Sequence, residues 1–88
     1  MKLLYFAWLR QRIGHSAEDV ALPAEVRTVG ELIGWLKARG PGYGHAFEDL
    51  RVVRAAVNQD YVPLDHPVAN GDEVAFFPPV TGGRGARR

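Results

Sequence analysis

The sequence contains no cysteine, and this absence excludes several kinds of chemistry at once. Disulfides, cysteine-ligated zinc, iron–sulfur clusters, cysteine nucleophiles and persulfides all require a thiol on the chain. At 88 residues, the chain is also too short for an enzyme that combines a cofactor fold with a separate substrate domain. We therefore expect one small domain that is stabilised by packing alone.

Long hydrophobic runs are missing as well. The longest run near the N-terminus, residues 3–9, ends at Arg10 and lacks a small-residue cleavage pattern. It is neither a secretion signal nor a stretch of about 20 residues that could span a bilayer. We expect a cytoplasmic protein with no membrane partner.

Positive charge is scarce in the body of the chain. The formal net charge is +1, but Arg84, Arg87 and Arg88 supply three of the eleven basic residues, whereas all ten acidic residues precede Gly83. Residues 1–83 are therefore mildly acidic, and they lack the basic stripe that is typical of nucleic-acid-binding surfaces. We expect no nucleic-acid partner.

The polar residues form no catalytic or metal-binding pattern. His15, His45 and His66 are far apart, in separate predicted loops, and lack the i, i+4 spacing of a helical metal pair. Ser16 is the only serine and is distant in sequence from Asp65 and His66, which argues against a hydrolytic triad. The simplest interpretation is that the histidines are solvated and that the chain binds no metal or cofactor.

Hydrophobic periodicity and turn residues predict five strands. The predicted strands are residues 2–7, 19–22, 51–58, 61–64 and 73–77. Turns are expected at 58–60 and 70–72, and Pro63 limits the fourth strand to an irregular edge. Residues 8–14 and 40–46 are expected to be connecting loops.

Residues 28–39 carry the strongest local signal, that of an amphipathic helix. Thr28 and Glu31 have the spacing of a capping box, in which each side chain satisfies a free backbone donor. One apolar stripe follows at helical spacing: Val29, Leu32, Ile33 and Leu36. Gly30 and Gly34 each lower the helix propensity by about 1 kcal/mol relative to alanine. The helix should therefore depend on docking its stripe, or on a close approach to the sheet at those glycines.

The order of these elements outlines an α+β fold of the β-grasp, or ubiquitin-like, type. A right-handed crossover through the helix would place the first and last strands side by side and parallel in the middle of a mixed sheet. The pattern alone leaves another small α+β arrangement open.

The last predicted strand leads into a tapering tail. Pro78 and Pro79 favour an extended backbone, and Gly82 and Gly83 have no Cβ atoms, so this segment could enter a narrow channel of another protein. A main-chain carboxylate at this point would be the one group on the chain that could be activated.

Several blocks of sequence resemble a known family. They are residues 4–7 (LYFA), 55–59 (AAVNQ), 65–67 (DHP) and 71–83 (GDEVAFFPPVTGG). Over residues 1–83, with no large gap, the chain is similar to the small subunit of molybdopterin synthase, a ubiquitin-like sulfur carrier. The block that ends at Gly83 is the most specific of the four.

The resemblance implies a sulfur carrier that is not an enzyme on its own. An adenylating enzyme related to ubiquitin activators would use ATP and magnesium to activate the Gly83 carboxylate, and a sulfur donor system would convert it to a thiocarboxylate. The large synthase subunit, expected in a heterotetramer with two small subunits, would then direct the sulfur to cyclic pyranopterin monophosphate in molybdenum cofactor biosynthesis.

The resemblance also implies which residues act. Gly83 would carry the sulfur, and Gly82 would allow it to enter the partner's active site. The expected partner-binding residues are Phe6, Tyr61, Phe77, Pro78, Pro79, Val80 and Thr81. Strand alternation agrees for Phe6 and Phe77, which would face away from the helix if Phe76 faces it, whereas Tyr61 rests on the resemblance. The alternative is that Phe6 and Phe77 belong to the core.

The chain departs from the family pattern after the second glycine. Residues 84–88 follow Gly83 and keep its carbonyl in an amide, which cannot be adenylated. We therefore expect a carrier domain of residues 1–83 and a basic extension of residues 84–88 that a processing protease removes. An artificial origin of the five residues is the second explanation.

Two other functions are compatible with such a tail. Once activated, it could form an isopeptide bond with a lysine, as a ubiquitin-like protein modifier does. It could also carry sulfur for another thiolation pathway, that of thiamine, cysteine or tRNA.

Overall fold

The computed structural model describes residues 1–79, which form a five-stranded mixed sheet with helices on one face. The strand order across the sheet is β2-β1-β5-β3-β4. The strands are β1 (Lys2–Tyr5), β2 (Ala17–Asp19), β3 (Arg54–Val57), β4 (Asp60–Val62) and β5 (Glu73–Phe77). The helices are α1 (Ala7–Ile13), α2 (Val29–Lys37) and α3 (Pro41–Ala46), and a 3₁₀ turn spans Leu50–Val52.

The central pair of strands has the predicted arrangement. β1 runs parallel to β5, with Lys2 opposite Glu73 and Tyr5 opposite Phe76, whereas β3 and β2 pair antiparallel with β5 and β1, respectively. The order of elements and the parallel central pair are those of a β-grasp, so the predicted fold is confirmed. The structure describes no helix in residues 1–79 that is long and apolar enough to cross a membrane.

One core lies between the sheet and the helices. The sheet contributes Leu3, Tyr5, Val74 and Phe76, all at most 1% exposed, because alternate side chains of a strand point to the same face. The helical layer closes this core with Leu9 of α1, the α2 stripe, and Tyr43 and Ala46 of α3.

Helix α2 forms as the sequence predicts. The Thr28 hydroxyl oxygen accepts a hydrogen bond from the Glu31 amide at 3.1 Å, and the Glu31 carboxylate accepts one from the Arg27 amide at 2.8 Å. All four residues of the apolar stripe are buried. Gly30 makes a close approach to the loop after β4 and not to the sheet, since its amide donates to the Leu64 carbonyl at 2.7 Å. A Cβ atom at Gly34 would meet nothing within 4 Å, so the close approach to the sheet expected at both glycines is wrong.

The first predicted strand is too long, and the loop predicted after it is wrong. β1 ends at Tyr5, and residues 7–13 form α1. The chain turns because Phe6 is extended and Ala7 adopts a positive φ of 57°. The helix then buries Leu9 completely. A short helix with one fully buried residue leaves little periodicity in the sequence, so it was not predicted.

The loop predicted at residues 40–46 is also wrong, because residues 41–46 form α3. This glycine-rich helix has little intrinsic propensity and is stabilised by packing of Tyr43 and Ala46 into the core and by its contact with α1. The second strand, Ala17–Asp19, shares only Asp19 with the predicted 19–22, so most of that prediction is wrong. The third strand begins later than predicted, at Arg54, and the fourth ends earlier, at Val62. The predicted turn at 58–60 is present, with positive φ at Asn58 and Gln59.

Candidate docking face and the root of the tail

The face of the sheet opposite the helices, here called the outer face, carries a row of apolar side chains across four strands. Leu4 pairs with Ala75, Ala75 with Ala56, and Ala56 with Tyr61. Directly paired residues point to the same side of a sheet, and their neighbours Tyr5, Phe76 and Val57 are buried in the core. The two alanines therefore form a shallow floor between Leu4 and the large side chain of Tyr61.

A second row crosses the outer face one step closer to the C-terminus of β5. The Phe6 amide donates to the Phe76 carbonyl at 3.1 Å, which extends the β1–β5 ladder past Tyr5 and places Phe6 beside Phe77. On its other side Phe77 pairs with Arg54 of β3. Phe6 is 48% exposed and Phe77 is half-buried.

Tyr61 and Phe77 bound an apolar groove. Their ring centroids are 5.3 Å apart, in a tilted arrangement. The groove has a volume of about 230 Å³ and is lined by Arg54, Ala55, Tyr61, Val62 and Phe77. Tyr61 is 78% exposed, and its contact with Phe77 makes it part of a contiguous apolar surface of the kind that marks interaction sites.

The opposite end of the outer face is polar. There Lys2 is the cross-strand partner of both Asp19 and Glu73, so a basic residue lies between two acidic ones. The apolar part of the outer face is thus confined to its middle and to the end at which β5 stops.

The tail begins at this apolar end. β5 stops at Phe77, and Pro78 and Pro79, which follow it, are half-buried. Of the predicted partner-binding residues, the structure therefore places Phe6, Tyr61 and Phe77 on the outer face, and Pro78 and Pro79 directly after Phe77. The remaining predicted residues, Val80, Thr81, Gly82 and the predicted sulfur carrier Gly83, lie outside the described residues, as does the extension 84–88.

A polar cluster on the helical side of the sheet was not predicted from the sequence. Glu18 of β2 accepts hydrogen bonds on Oε2 from the hydroxyls of Tyr5 (2.7 Å) and Tyr43 (2.6 Å), and Nε2 of His15 lies 3.1 Å from the same oxygen. Arg39 donates to Glu18 Oε1 at 3.1 Å. The cluster joins β1, β2, α3 and the chain after α2.

The cluster changes the acidity of its members. Burial of Glu18 on its own would raise its pKa, but the hydrogen bonds from Tyr43, Tyr5 and His15 and the charge of Arg39 outweigh burial and lower the pKa to about 2. Burial, with the hydrogen bond to the Glu18 carboxylate, raises the pKa of Tyr43 to about 12 and that of Tyr5 still further. Glu18 is therefore a carboxylate, and both tyrosines are neutral donors, at physiological pH.

The histidines behave only partly as expected. His15 is exposed but contacts Glu18 and Tyr43, and His45 lies in α3, so the prediction that all three histidines lie in loops is wrong. His66 follows a turn, as predicted, and its amide donates to the Pro63 carbonyl. Within residues 1–79, no three His, Asp or Glu side chains are grouped so that they could hold a metal ion.

Comparison with known proteins decides the family. The ThiS family model matches residues 3–83. The chain belongs to the ThiS family. Its relatives include the molybdopterin synthase sulfur carrier subunit of Escherichia coli (strain K12), which is 47% identical over 83 residues, or 94% of this chain and 99% of that protein. The resemblance read from residues 4–7 and 71–83 is thereby confirmed, and the ThiS match ends at Gly83.

Solved structures agree with this ThiS-family assignment. A protein from Pyrococcus furiosus, described as a molybdopterin converting factor subunit 1, superposes with a TM-score of 0.65 at 32% identity, covering 90% of this chain and 95% of that one. A small archaeal modifier protein 1 from Haloferax volcanii superposes with a TM-score of 0.64 at 26% identity, covering 91% and 97%. The role expected from the sequence, that of a sulfur carrier subunit, is the role that the name of the Escherichia coli relative gives to that protein.

Proposed function

We propose that this chain is the cytoplasmic sulfur carrier of a molybdopterin synthase and that the Gly83 carboxylate is the group that carries the sulfur. The observation that supports this most strongly is the match to the ThiS family, which extends to Gly83 and stops there. The outer face also supports this function. Three of its aromatic side chains are available to a partner near the point where the tail begins: Phe6, Tyr61 and Phe77.

The Gly83 carboxylate must be activated before it can accept sulfur. A carboxylate is a poor electrophile, so an oxygen of Gly83 first attacks the α-phosphorus of ATP, which is bound with magnesium on a separate adenylating enzyme, and pyrophosphate leaves. Hydrosulfide (HS⁻) supplied by the donor system then attacks the carbonyl carbon, the bond to the adenylate oxygen breaks, and AMP leaves. The product is a thiocarboxylate, which holds nucleophilic sulfur on a chain that has no cysteine.

The large synthase subunit would supply the acid–base groups and the substrate pocket. The outer face would dock on that subunit through Phe6, Tyr61 and Phe77, and Pro78, Pro79, Val80 and Thr81 would lead the two glycines into its active site. There the thiocarboxylate sulfur would attack a carbon of cyclic pyranopterin monophosphate, and water would then cleave the acyl–sulfur bond, so that the sulfur stays on the pterin and Gly83 returns to a carboxylate. Two such transfers make the dithiolene, consistent with a heterotetramer of two small and two large subunits.

The extension requires a separate step. Because residues 84–88 follow Gly83, we propose that a protease cleaves after Gly83 before adenylation. Glycines stand on both sides of this bond and Arg84 follows it, and small and polar residues of this kind are typical of the segments that proteases cleave.

Reconstitution tests the proposed function. The chain ending at Gly83 is incubated with the adenylating enzyme, ATP, magnesium, a sulfur donor, the large subunit and cyclic pyranopterin monophosphate, and molybdopterin is measured. We expect product with this chain and none after deletion of Gly83 or with Gly82→Trp, whose side chain would block a narrow channel. Transfer near the normal rate by either variant would refute the role of the tail.

A second function is favoured by one comparison. The small archaeal modifier protein 1 shares this fold and 26% of the residues, so an activated Gly83 could also be attacked by a lysine amine to give an isopeptide bond. Immunoblotting of the native host under denaturing and reducing conditions distinguishes the two functions. Conjugation would give a ladder of larger species, whereas a pure carrier would give a single band.

Reconstitution with thiamine, cysteine and tRNA acceptor systems tests the other thiolation pathways.

A further inference from the structure

Arg54 is the charged residue at the apolar end of the outer face. It is exposed and lies across the β3–β5 ladder from Phe77, at one wall of the groove that Tyr61 and Phe77 bound. Phe6, Phe77 and Arg54 make up the second row, and two of these three side chains are apolar.

The position of the Arg54 guanidinium is fixed by the backbone. Its Nη1 atom donates to the Arg51 carbonyl at 3.2 Å and to the Val53 carbonyl at 3.1 Å. These bonds use one of the three guanidinium nitrogens, so the rest of the planar donor fork is available to a partner.

No carboxylate neutralises Arg54 within the described residues 1–79. Lys2, at the other end of the outer face, is in no ion pair within residues 1–79 either, but it has two acidic cross-strand neighbours, Asp19 and Glu73. Arg51 pairs with Asp49 at 3.0 Å. Arg54 is in no ion pair with any residue up to Pro79, so its charge is the uncompensated one beside the groove.

We propose that the docking partner presents an apolar side chain to the groove between Tyr61 and Phe77 and, next to it, an Asp or Glu side chain to Arg54. This inference rests on the proposed function and identifies the chemistry of the large-subunit segment that binds here. A groove of about 230 Å³ accommodates one branched or aromatic side chain. A carboxylate beside that side chain would meet the free donors of Arg54 in the bidentate geometry that guanidinium groups favour.

The charge of Arg54 also makes the docking contact selective. A face made only of Phe6, Tyr61, Phe77 and alanines would bind many apolar surfaces, whereas a charge at one wall rejects a partner with a basic residue there. Arg54 is thus a specificity-determining residue of the carrier, whereas the tail carries the reacting carboxylate.

Binding of the large subunit tests the inference. The wild-type chain and its variants are purified from the host organism, in the form that the cell holds, and the dissociation constant for the large subunit is measured by calorimetry at several salt concentrations. We expect Arg54→Glu to raise the dissociation constant about tenfold or more, because it replaces attraction with repulsion. Arg54→Leu should raise it by a smaller factor and make it less sensitive to salt, because the charge is lost but the apolar contact is kept.

The control is Lys37→Glu, which makes the same change of charge on an exposed residue at the end of α2, on the other side of the sheet. It should bind as the wild type does. Equal affinities of Arg54→Glu and wild type, or equal losses in Arg54→Glu and Lys37→Glu, would overturn the role of Arg54 and leave the carrier function intact. Failure of the wild-type chain to bind the large subunit at all would instead contradict the proposed function.

Discussion

The hydroxyl group of Tyr43, in α3, lies 2.6 Å from Oε2 of Glu18, in β2. Tyr5 donates to the same oxygen from β1. One carboxylate therefore ties two strands of the sheet to a glycine-rich helix that has little propensity of its own.

Removal of one of these donors should destabilise the fold. Tyr43→Phe keeps the ring but removes one of the hydrogen bonds that the partly buried Glu18 carboxylate accepts, and we expect the free energy of unfolding to fall by about 1.5 to 3 kcal/mol. Urea denaturation measures the change. Tyr61→Phe, which removes the same hydroxyl from a ring that is 78% exposed, should leave the stability within about 0.5 kcal/mol of wild type. Equal losses in the two variants would contradict the importance of the cluster.

The cluster also predicts how stability depends on acid pH. The pKa of Glu18 is about 2 in the folded chain and 4.5 is its ordinary value, so the folded state favours the carboxylate. The contribution of Glu18 to the free energy of unfolding is therefore complete above about pH 4.5 and is lost as the pH falls towards 2.

Glu18→Gln should therefore flatten the fall in stability over that pH window, while lowering the stability at neutral pH. The measurement is the free energy of unfolding as a function of pH. Glu25→Gln is the control, because it removes one negative charge from an exposed side chain and should leave the acid slope as steep as in the wild type. A Glu18→Gln profile parallel to that of the wild type would contradict the assignment.

Two glycine-to-alanine substitutions should have opposite effects. A Cβ atom at Gly34, in α2, would meet nothing within 4 Å, whereas one at Gly42, in α3, would lie 2.8 Å from the Arg12 carbonyl oxygen of α1. Gly34→Ala should raise the free energy of unfolding by about 1 kcal/mol through helix propensity. Gly42→Ala should lower it by about 1 to 3 kcal/mol, because α1 and α3 must move apart. Thermal denaturation measures both, and a stabilising Gly42→Ala would show that the two helices are not in close contact.

The sequence predicts α2 and β5 but not α1 and α3, and the reason is physical. α2 carries a capping box and a full apolar stripe, and β5 lies between the turn residues 70–72 and Pro78, so local sequence determines both. α1 and α3 are short, and α3 forms only because Tyr43 and Ala46 reach the core and Gly42 permits contact with α1. Their stability comes from residues distant in sequence, which a local pattern does not contain.

The residues of the candidate site also differ in whether the sequence predicts them. Alternation places Phe6 and Phe77 on the outer face, but only the resemblance pointed to Tyr61, and neither pointed to Arg54, whose importance depends on which acidic groups lie near it. The Glu18 cluster combines residues 5, 15, 18, 39 and 43 from five segments of the chain. Their proximity follows from the topology, not from their spacing.

The aromatic part of the outer face predicts the effect of substitutions on docking. Phe77→Asp or Tyr61→Asp should weaken binding of the large subunit about tenfold or more, because each places a carboxylate in the groove where an apolar side chain would bind. Tyr61→Asp separates docking from folding, since that side chain is largely exposed. Val52→Asp is the control, because Val52 is also exposed but lies in the 3₁₀ turn outside the two rows. An unchanged affinity for Tyr61→Asp by calorimetry would contradict the docking face.

The central claim is that a free Gly83 carboxylate carries sulfur, and intact-mass spectrometry of the chain from its native host, during molybdenum cofactor synthesis, tests it most directly. We predict a chain that ends at Gly83, part of which is heavier by the replacement of one oxygen by sulfur. A chain that still ends with residues 84–88, and never gains sulfur, while the cofactor is made would contradict the account.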